Sequence, residues 1–167
     1  MIETLRGDLA KFKEADVVVS GHNGVFMGGS TATTAIMQAG GMSLFMECHK
    51  CGMVDPGHVL LTEGYDLPCK HIIHVAIPYF NGTDECEKKL AMCYENTLKA
   101  AVESGFRTIA FPAMGATTMG FTYEKAAEVG VPVVKNFLEN NPGVIDKIYW
   151  VFYKDEGKKA FDTELSK

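Results

Sequence analysis

Six short apolar segments, rich in β-branched or aromatic residues, alternate with segments of helical periodicity along the chain. The apolar segments cover 2–6, 16–20, 58–63, 71–77, 108–113 and 147–153. Several are apolar at nearly every position, which is typical of strands that are covered on both faces. The helical patterns cover 31–39, 43–51, 83–105, 122–139 and 157–166, and we expect a kink or a break at Pro132. This alternation predicts a layered α/β fold with a largely parallel or mixed sheet.

Length and charge narrow the possible partners. The 167 residues are enough for one domain with a substantial core, so we expect a single domain over 1–167. Sixteen Lys and Arg against 21 Asp and Glu give a net charge of -5, and no concentrated basic face is visible, so nucleic acid is not an expected partner. No apolar run is long enough to cross a bilayer and no secretory signal is recognisable, so we expect a cytoplasmic protein without membrane contact.

The cysteines predict free thiols. The chain has five, an odd number at irregular spacing, which favours a reducing compartment over a disulfide framework. The motif CHKC at 48–51 invites a zinc interpretation. Structural zinc sites normally pair two such motifs, and no second CxxC is present. Small buried thiols on an amphipathic helix are therefore the favoured interpretation, and no metal site is expected.

Two loops rich in glycine and small residues each follow a predicted strand and lead into a predicted helix. They cover 28–31 and 115–120. In α/β folds ligands bind beyond the carboxyl ends of strands, where free backbone amides and helix N-termini favour anions. Neither loop contains a Lys or an acidic residue, and no GxxxxGK[ST] pattern occurs, so metal-dependent phosphoryl transfer is not expected. The loops predict a diphosphate held by amides alone, with no cofactor, although tight strand-to-helix turns alone can also account for the glycines.

Five motifs, in order along the chain, resemble those of the macrodomain family, whose members bind ADP-ribose. The most specific is GHVLLTEGYDLPCKHIIHVAIP at 57–78. The others are RGDL at 6–9, VVVSGHNG at 17–24, TAIMQAGG at 34–41 and TIAFPAMG at 108–115. The resemblance implies a three-layer α/β/α fold with a mixed, largely parallel central sheet. It also implies that the partner is ADP-ribose or an ADP-ribosylated protein.

The resemblance assigns roles to individual positions. Asp8 would accept a hydrogen bond from the exocyclic amine of adenine, helped by the Leu9 backbone, and Tyr153 would flank the base. Asn23 would contact the distal ribose, near the bond that hydrolytic members break. The remaining residues implied to line the ligand come from the two loops, and five of them would offer amides to the diphosphate: Thr31, Ala32, Gly115, Ala116 and Thr117. The others are Ser30, Thr33, Thr118 and Met119.

Several positions depart from the family pattern, and these departures bear on catalysis. The catalytic Asp of the best-known hydrolytic members falls on Thr33, which cannot act as a general base near neutral pH. The aromatic residue that packs against the distal ribose falls on Met119. His22 stands beside Asn23 and could supply an acid or base, but neighbours on a strand point to opposite faces, so a core position is the alternative.

Three functional hypotheses remain open from the sequence. The first is a hydrolase that removes mono-ADP-ribose from proteins or deacylates acyl-ADP-ribose, with Asn23 and His22 as the candidate catalytic residues. The second is a reader that binds ADP-ribose without cleaving it. The third is a degenerate macrodomain that serves as an interaction module. The loss of Asp at the position of Thr33 favours a reader, whereas Asn23 keeps hydrolysis possible.

Overall fold

One central sheet of six strands organises the computed structural model, which describes all 167 residues. The strands are β1 (Ile2–Arg6), β2 (Val17–His22), β3 (Val59–Glu63), β4 (His71–Ala76), β5 (Thr108–Phe111) and β6 (Lys147–Phe152). Their order across the sheet is β1-β6-β5-β2-β4-β3. All neighbours are parallel except β3, which is antiparallel to β4 at one edge. The predicted mixed, largely parallel sheet is confirmed.

Helices cover both faces of the sheet, which confirms the three-layer arrangement. They are α1 (Thr31–Gly40), α2 (Met42–His49), α3 (Asp84–Glu103), α4 (Tyr123–Asn140) and α5 (Asp155–Leu165). A cluster of 26 buried apolar residues joins α3, α4 and α5 to one face. A second cluster of 17 joins α1 and α2 to the other. Strands covered on both sides must be apolar at successive positions, which is why β2 and β4 read as continuous hydrophobic runs.

Three boundaries differ from the sequence predictions in ways that matter. Strand β2 continues past residue 20 to His22, because its last residues pair with β4. Strand β5 ends at Phe111, two residues early, so Pro112 and Ala113 belong to the loop. Helix α4 passes through Pro132 without a break. The proline is exposed, and it removes only one backbone donor from the helix.

The sheet order brings the two candidate loops together. Strands β2 and β5 are neighbours and run parallel, so the loops that follow them leave the same edge of the sheet. Strand β6 lies beside β5, and its carboxyl end adds Tyr153 and Lys154 to that edge. None of the helices is both long enough and apolar enough to cross a lipid bilayer.

Candidate functional site

A cleft opens where the turn between β2 and α1 faces the turn after β5. Its enclosed part has a volume of about 120 Å³, and it shares the lining residues Ser30 and Thr31 with a shallow groove of about 540 Å³. The enclosed part is lined by Ser30, Thr31, Ala32, Pro112, Ala113, Ala116, Thr117, Tyr123, Val151, Phe152, Tyr153 and Lys154. Thr118 lies in the shallow groove. The two loops that the sequence singled out thus form the two walls of one cleft.

The first wall is the N-terminus of α1, which Ser30 caps. The Ser30 hydroxyl accepts a hydrogen bond from Thr33 N at 3.2 Å. Thr31 N and Ala32 N have no partner within the protein, as is usual for the first amides of a helix. Both donors stand at the positive end of the helix dipole, where an anion is favoured. This wall matches the predicted amide cradle.

The second wall only partly matches that prediction. Ala116 N donates to Ala113 O at 3.1 Å and Thr117 N donates to Phe121 O at 2.8 Å, so neither amide is available to a ligand. The expectation that these two amides bind a diphosphate is therefore wrong, because the turn uses them to close on itself. Gly115 N, Thr118 N and Met119 N make no hydrogen bond within the protein. Of these three residues only Thr118 lines the cleft, so the free donor of this wall lies one residue further along the chain than Thr117.

Thr117 has an unusual backbone conformation for its type. Its φ is 61°, in the left-handed region, where a β-branched residue is rare because its side chain crowds the backbone. A glycine would adopt this conformation without strain. The threonine side chain is exposed and lines the cleft. The turn therefore holds a threonine in a conformation that favours glycine.

Of the three residues predicted to contact a base, Tyr153 lines the cleft, and Asp8 and Leu9 lie beside it outside the residues that line the enclosed part. Asp8 caps a short 3-10 turn over Leu9–Lys11, and its Oδ1 accepts from Ala10 N at 2.9 Å. The Tyr153 hydroxyl donates to the same oxygen at 2.5 Å. Leu9 N has no partner within the protein, although the Leu9 side chain is buried. Asp8, Leu9 and Tyr153 are thus brought together. Asp8 Oδ2 and Leu9 N remain without a hydrogen-bond partner within the protein.

Asn23 lies at the base of the first turn. Asn23 N donates to Gly28 O at 3.1 Å, which closes the loop between them. Its side-chain Oδ1 accepts from Val25 N at 3.2 Å, which leaves the Nδ2 group as a free donor. A side-chain amide held in this way can donate to a hydroxyl group, but it cannot act as a base.

His22 lies in the core and is entirely buried. Its Nε2 is 2.8 Å from His74 Nδ1, and His74 Nε2 is 2.9 Å from the Thr62 hydroxyl. That hydroxyl donates to Glu63 O, so it accepts from His74, and His22 Nε2 must then donate to His74 Nδ1. Burial lowers the pKa of both rings well below the ordinary value, and His74 lowers the pKa of His22 further. The expectation of a catalytic His22 is therefore contradicted: the ring is neutral and has no access to the cleft.

Two other predicted site residues turn away from the cleft. The Thr33 hydroxyl donates to Gly21 O and also lies 3.0 Å from the Ser30 hydroxyl, so it links α1 to β2. The Met119 side chain is buried in the core with the α3 and α4 residues, so it cannot replace the missing aromatic residue against a sugar. The small Thr33 side chain and the apolar Met119 side chain are therefore used within the protein and not for the predicted contacts with a ligand.

The sequence analysis missed two polar side chains of the cleft, Tyr123 and Lys154. Lys154 follows directly after Tyr153 at the carboxyl end of β6, where the same rule that located the loops would have found it. Its ammonium takes part in no ion pair within the protein. The cleft therefore has a cationic side chain, contrary to the expectation of amides alone. No three His, Cys, Asp or Glu side chains are grouped in a way that could hold a metal ion.

Comparison with known proteins gives a consistent result. The Macro domain family profile matches residues 19–130. An O-acetyl-ADP-ribose deacetylase of Enterobacter sp. (strain 638) is 34% identical over 98% of this chain and 93% of the relative. The ADP-ribose glycohydrolase MACROD2 of Xenopus laevis is 34% identical over 96% of this chain, which spans 39% of that longer protein. The Oceanobacillus iheyensis macrodomain, solved with ADP, superposes with a TM-score of 0.91 at 27% identity, covering 99% of this chain and 90% of the other.

Proposed function

Because this chain belongs to the Macro domain family, we propose that its cleft binds ADP-ribose with the diphosphate between the two turns. One observation carries the proposal: both turns line the same cleft, and each offers free backbone N–H groups there. Thr31 N and Ala32 N lie on one wall, and Thr118 N lies on the other. Converging amides at a helix N-terminus are a recurring way to bind phosphate without a metal ion. The Oceanobacillus iheyensis macrodomain solved with ADP supports the same ligand class.

The cleft dimensions set how such a ligand would lie. The enclosed volume of about 120 Å³ is smaller than the ~300–1,000 Å³ of typical small-molecule sites. A nucleotide sugar would therefore occupy the enclosed part with its proximal half and extend along the shallow groove of about 540 Å³. Lys154 lies at the β6 side of the enclosed part, where its free ammonium would attract a diphosphate. The net charge of -5 disfavours the binding of an anionic ligand, so the positive charge of Lys154 would favour binding locally.

Hydrolysis is the second candidate function, and the names of two relatives favour it. One is an O-acetyl-ADP-ribose deacetylase of nearly the same length, and the other an ADP-ribose glycohydrolase. In this chain neither of the two positions considered for a general base can serve as one, because His22 is buried and the Thr33 hydroxyl is bound to Gly21 O. Cleavage would need a base from the substrate, such as a phosphate oxygen, with Asn23 Nδ2 orienting the distal ribose. A reader and a hydrolase, the two alternatives left open by the sequence, therefore differ in whether the bound ADP-ribose derivative is cleaved.

Isothermal titration calorimetry with ADP-ribose tests the binding proposal. We expect saturable binding by the wild type, and no heat at millimolar ADP-ribose, AMP and ADP would refute it. Asp8→Ala should weaken ADP-ribose by about 0.5–3 kcal/mol and leave ribose 5-phosphate unaffected, because the lost contact is to the base. Asp55→Ala, a change at an exposed position on another loop, is the matched control.

A release assay on an auto-modified ADP-ribosyltransferase then separates a hydrolase from a reader. If the chain is a hydrolase, the wild type releases ADP-ribose and Asn23→Ala does so much more slowly. Asn136→Ala, at an exposed position of α4, controls for the loss of an amide side chain elsewhere. Wild-type protein that binds ADP-ribose but releases none identifies a reader.

A further inference from the structure

A thioether and an imidazole meet on the surface outside the cleft, and the proposed function uses neither. Met27 lies in the loop between β2 and α1, and its Sδ is 3.2 Å from Nδ1 of His49, the last residue of α2. Both side chains are exposed. His49 belongs to the CHKC motif at 48–51, for which the sequence offers no second zinc-binding motif. The structure gives that histidine a sulfur neighbour from a different element, 22 residues away.

Backbone contacts hold the loop of Met27 against the segment that follows α2. Val54 N donates a hydrogen bond to Gly24 O at 2.8 Å. Val25 and Met53 form an antiparallel β-bridge between the same two segments. The position of the Met27 loop beside the end of α2 is therefore fixed by the backbone and does not depend on the two side chains alone.

The imidazole is also held in an orientation that suits a shared ion. The His49 ring is nearly parallel to the Phe45 ring one turn earlier, with 5.9 Å between centroids and 9° between planes. Its Nδ1 faces the Met27 sulfur. Bonds of about 2.0 and 2.3 Å, the lengths that zinc forms to His nitrogen and to sulfur, would span 3.2 Å at an angle of roughly 95°. The flexible Met27 side chain can widen this angle by a small rotation.

The donor types decide which ion the two side chains favour. A thioether is a soft ligand that selects Cu(I), and imidazole also suits copper, whereas Mg²⁺ and Ca²⁺ require oxygen ligands. The adjacent carboxylate of α2, Glu47, accepts a hydrogen bond from the Tyr65 hydroxyl. Lys50 follows His49 and adds a positive charge, which repels a divalent ion more strongly than a monovalent one. Structural zinc sites use four ligands, and no group of three His, Cys, Asp or Glu side chains is present.

We propose that Met27 Sδ and His49 Nδ1 form a surface site for a soft monovalent metal ion, Cu(I). The ion would link the loop between β2 and α1 to the end of α2. The inference does not depend on the binding of ADP-ribose, because neither residue lines the cleft. The alternative for the same contact is an N–H···S hydrogen bond from His49 to Met27, which needs no ion.

The experiment follows the methionine methyl groups by NMR. Protein with ¹³C-labelled methionine methyls is titrated with Ag(I), a soft monovalent ion that needs no reductant, and separately with Cu(I) kept reduced by ascorbate. We expect both ions to shift the Met27 methyl resonance in a saturable way and to leave that of Met92 unchanged. Met92 is an equally exposed thioether on α3, so it is the control within the same molecule.

Two variants each remove one ligand with little change in shape. His49→Phe keeps a ring against Phe45 but removes the nitrogen, so the ion-induced shift of the Met27 methyl should be lost. Met27→Leu conserves the side-chain volume and should abolish the effect of Ag(I) on the His49 imidazole resonances. His71→Phe is the matched control, because that ring also packs against a phenylalanine, Phe106, but not against Met27.

Each other result overturns the inference. Equal shifts of Met27 and Met92, or a Met27 shift that His49→Phe retains, show adventitious binding of the ion to exposed sulfur. A Met27 shift that Cys51→Ser abolishes assigns the ion to the half-buried free thiol of the CHKC motif. Absence of a Met27 shift with Cu(I) leaves the contact as an N–H···S hydrogen bond.

Discussion

Replacing Thr117 by glycine should stabilise the protein, although it deletes a side chain at the cleft. Thr117 has a φ of 61°, and an L-residue in this region costs about 1–2 kcal/mol. Glycine removes that strain but increases the freedom of the unfolded chain, which costs about 0.4–1 kcal/mol. The Thr117 hydroxyl has no partner and the side chain is exposed, so little else is lost. The net effect should be an increase of about 1 kcal/mol in the free energy of unfolding.

Thr118→Gly is the matched control for this prediction. Thr118 is the next residue, is also exposed, and does not have a positive φ. It should lose the entropic term alone, so it should destabilise the protein by about 0.4–1 kcal/mol. The difference between the two variants therefore isolates the strain, and it corresponds to roughly 2–8 °C in Tm for a domain of this size. Thermal unfolding followed by circular dichroism measures it. A Tm for Thr117→Gly at or below that of Thr118→Gly would refute the reasoning.

Three further predictions concern the loop, the cation and the buried imidazoles. Gly29→Ala should lower the free energy of unfolding, measured in urea, by about 1–3 kcal/mol. The φ of Gly29 is +144°, and the new Cβ would lie 2.9 Å from the Asn23 backbone nitrogen. Gly28→Ala is the control and should not destabilise the protein, because the Cβ at that position would face open space. Lys154→Met should weaken ADP-ribose about two- to fivefold and reduce the salt dependence of binding; an unchanged salt dependence contradicts this. Burial lowers the pKa of His22 and His74 in the folded state, so the unfolded state binds more protons below pH ~6.5. As the pH decreases below that value, the free energy of unfolding should fall by roughly 1.4 kcal/mol per pH unit for each ring. A flat stability profile between neutral pH and mildly acidic pH would contradict the buried, neutral pair.

The fold was predictable because its signals are local and repeated. The continuously apolar runs of β2 and β4 predict strands buried on both faces, and the helical stripe of α3 predicts one side of the core. The parallel order then follows from the alternation of strands and helices. Strand ends were less certain: β2 continues to His22 only because β4 offers pairing partners, and no feature of the sequence between 20 and 22 indicates this.

The site was predictable in place but not in detail. The rule that ligands bind beyond the carboxyl ends of strands located both walls of the cleft, and Ser30, Thr31 and Ala32 lie where expected. The side of the strand that His22 faces and the pairing of Ala116 N depend on tertiary contacts. His22 meets His74, which is 52 residues away, and the Ala116 amide turns back to Ala113. Sequence spacing alone does not determine such contacts.

An amide chemical-shift titration tests most directly whether the two turns jointly hold a diphosphate. Isotope-labelled protein would be titrated with ADP-ribose, and with adenosine as the ligand that lacks phosphate. We predict that ADP-ribose produces saturable shifts at Thr31, Ala32 and Thr118, whose amides are free. Adenosine should shift Leu9 and leave those three unchanged. Saturable binding of ADP-ribose with no shift on one of the two turns would contradict the joint binding site.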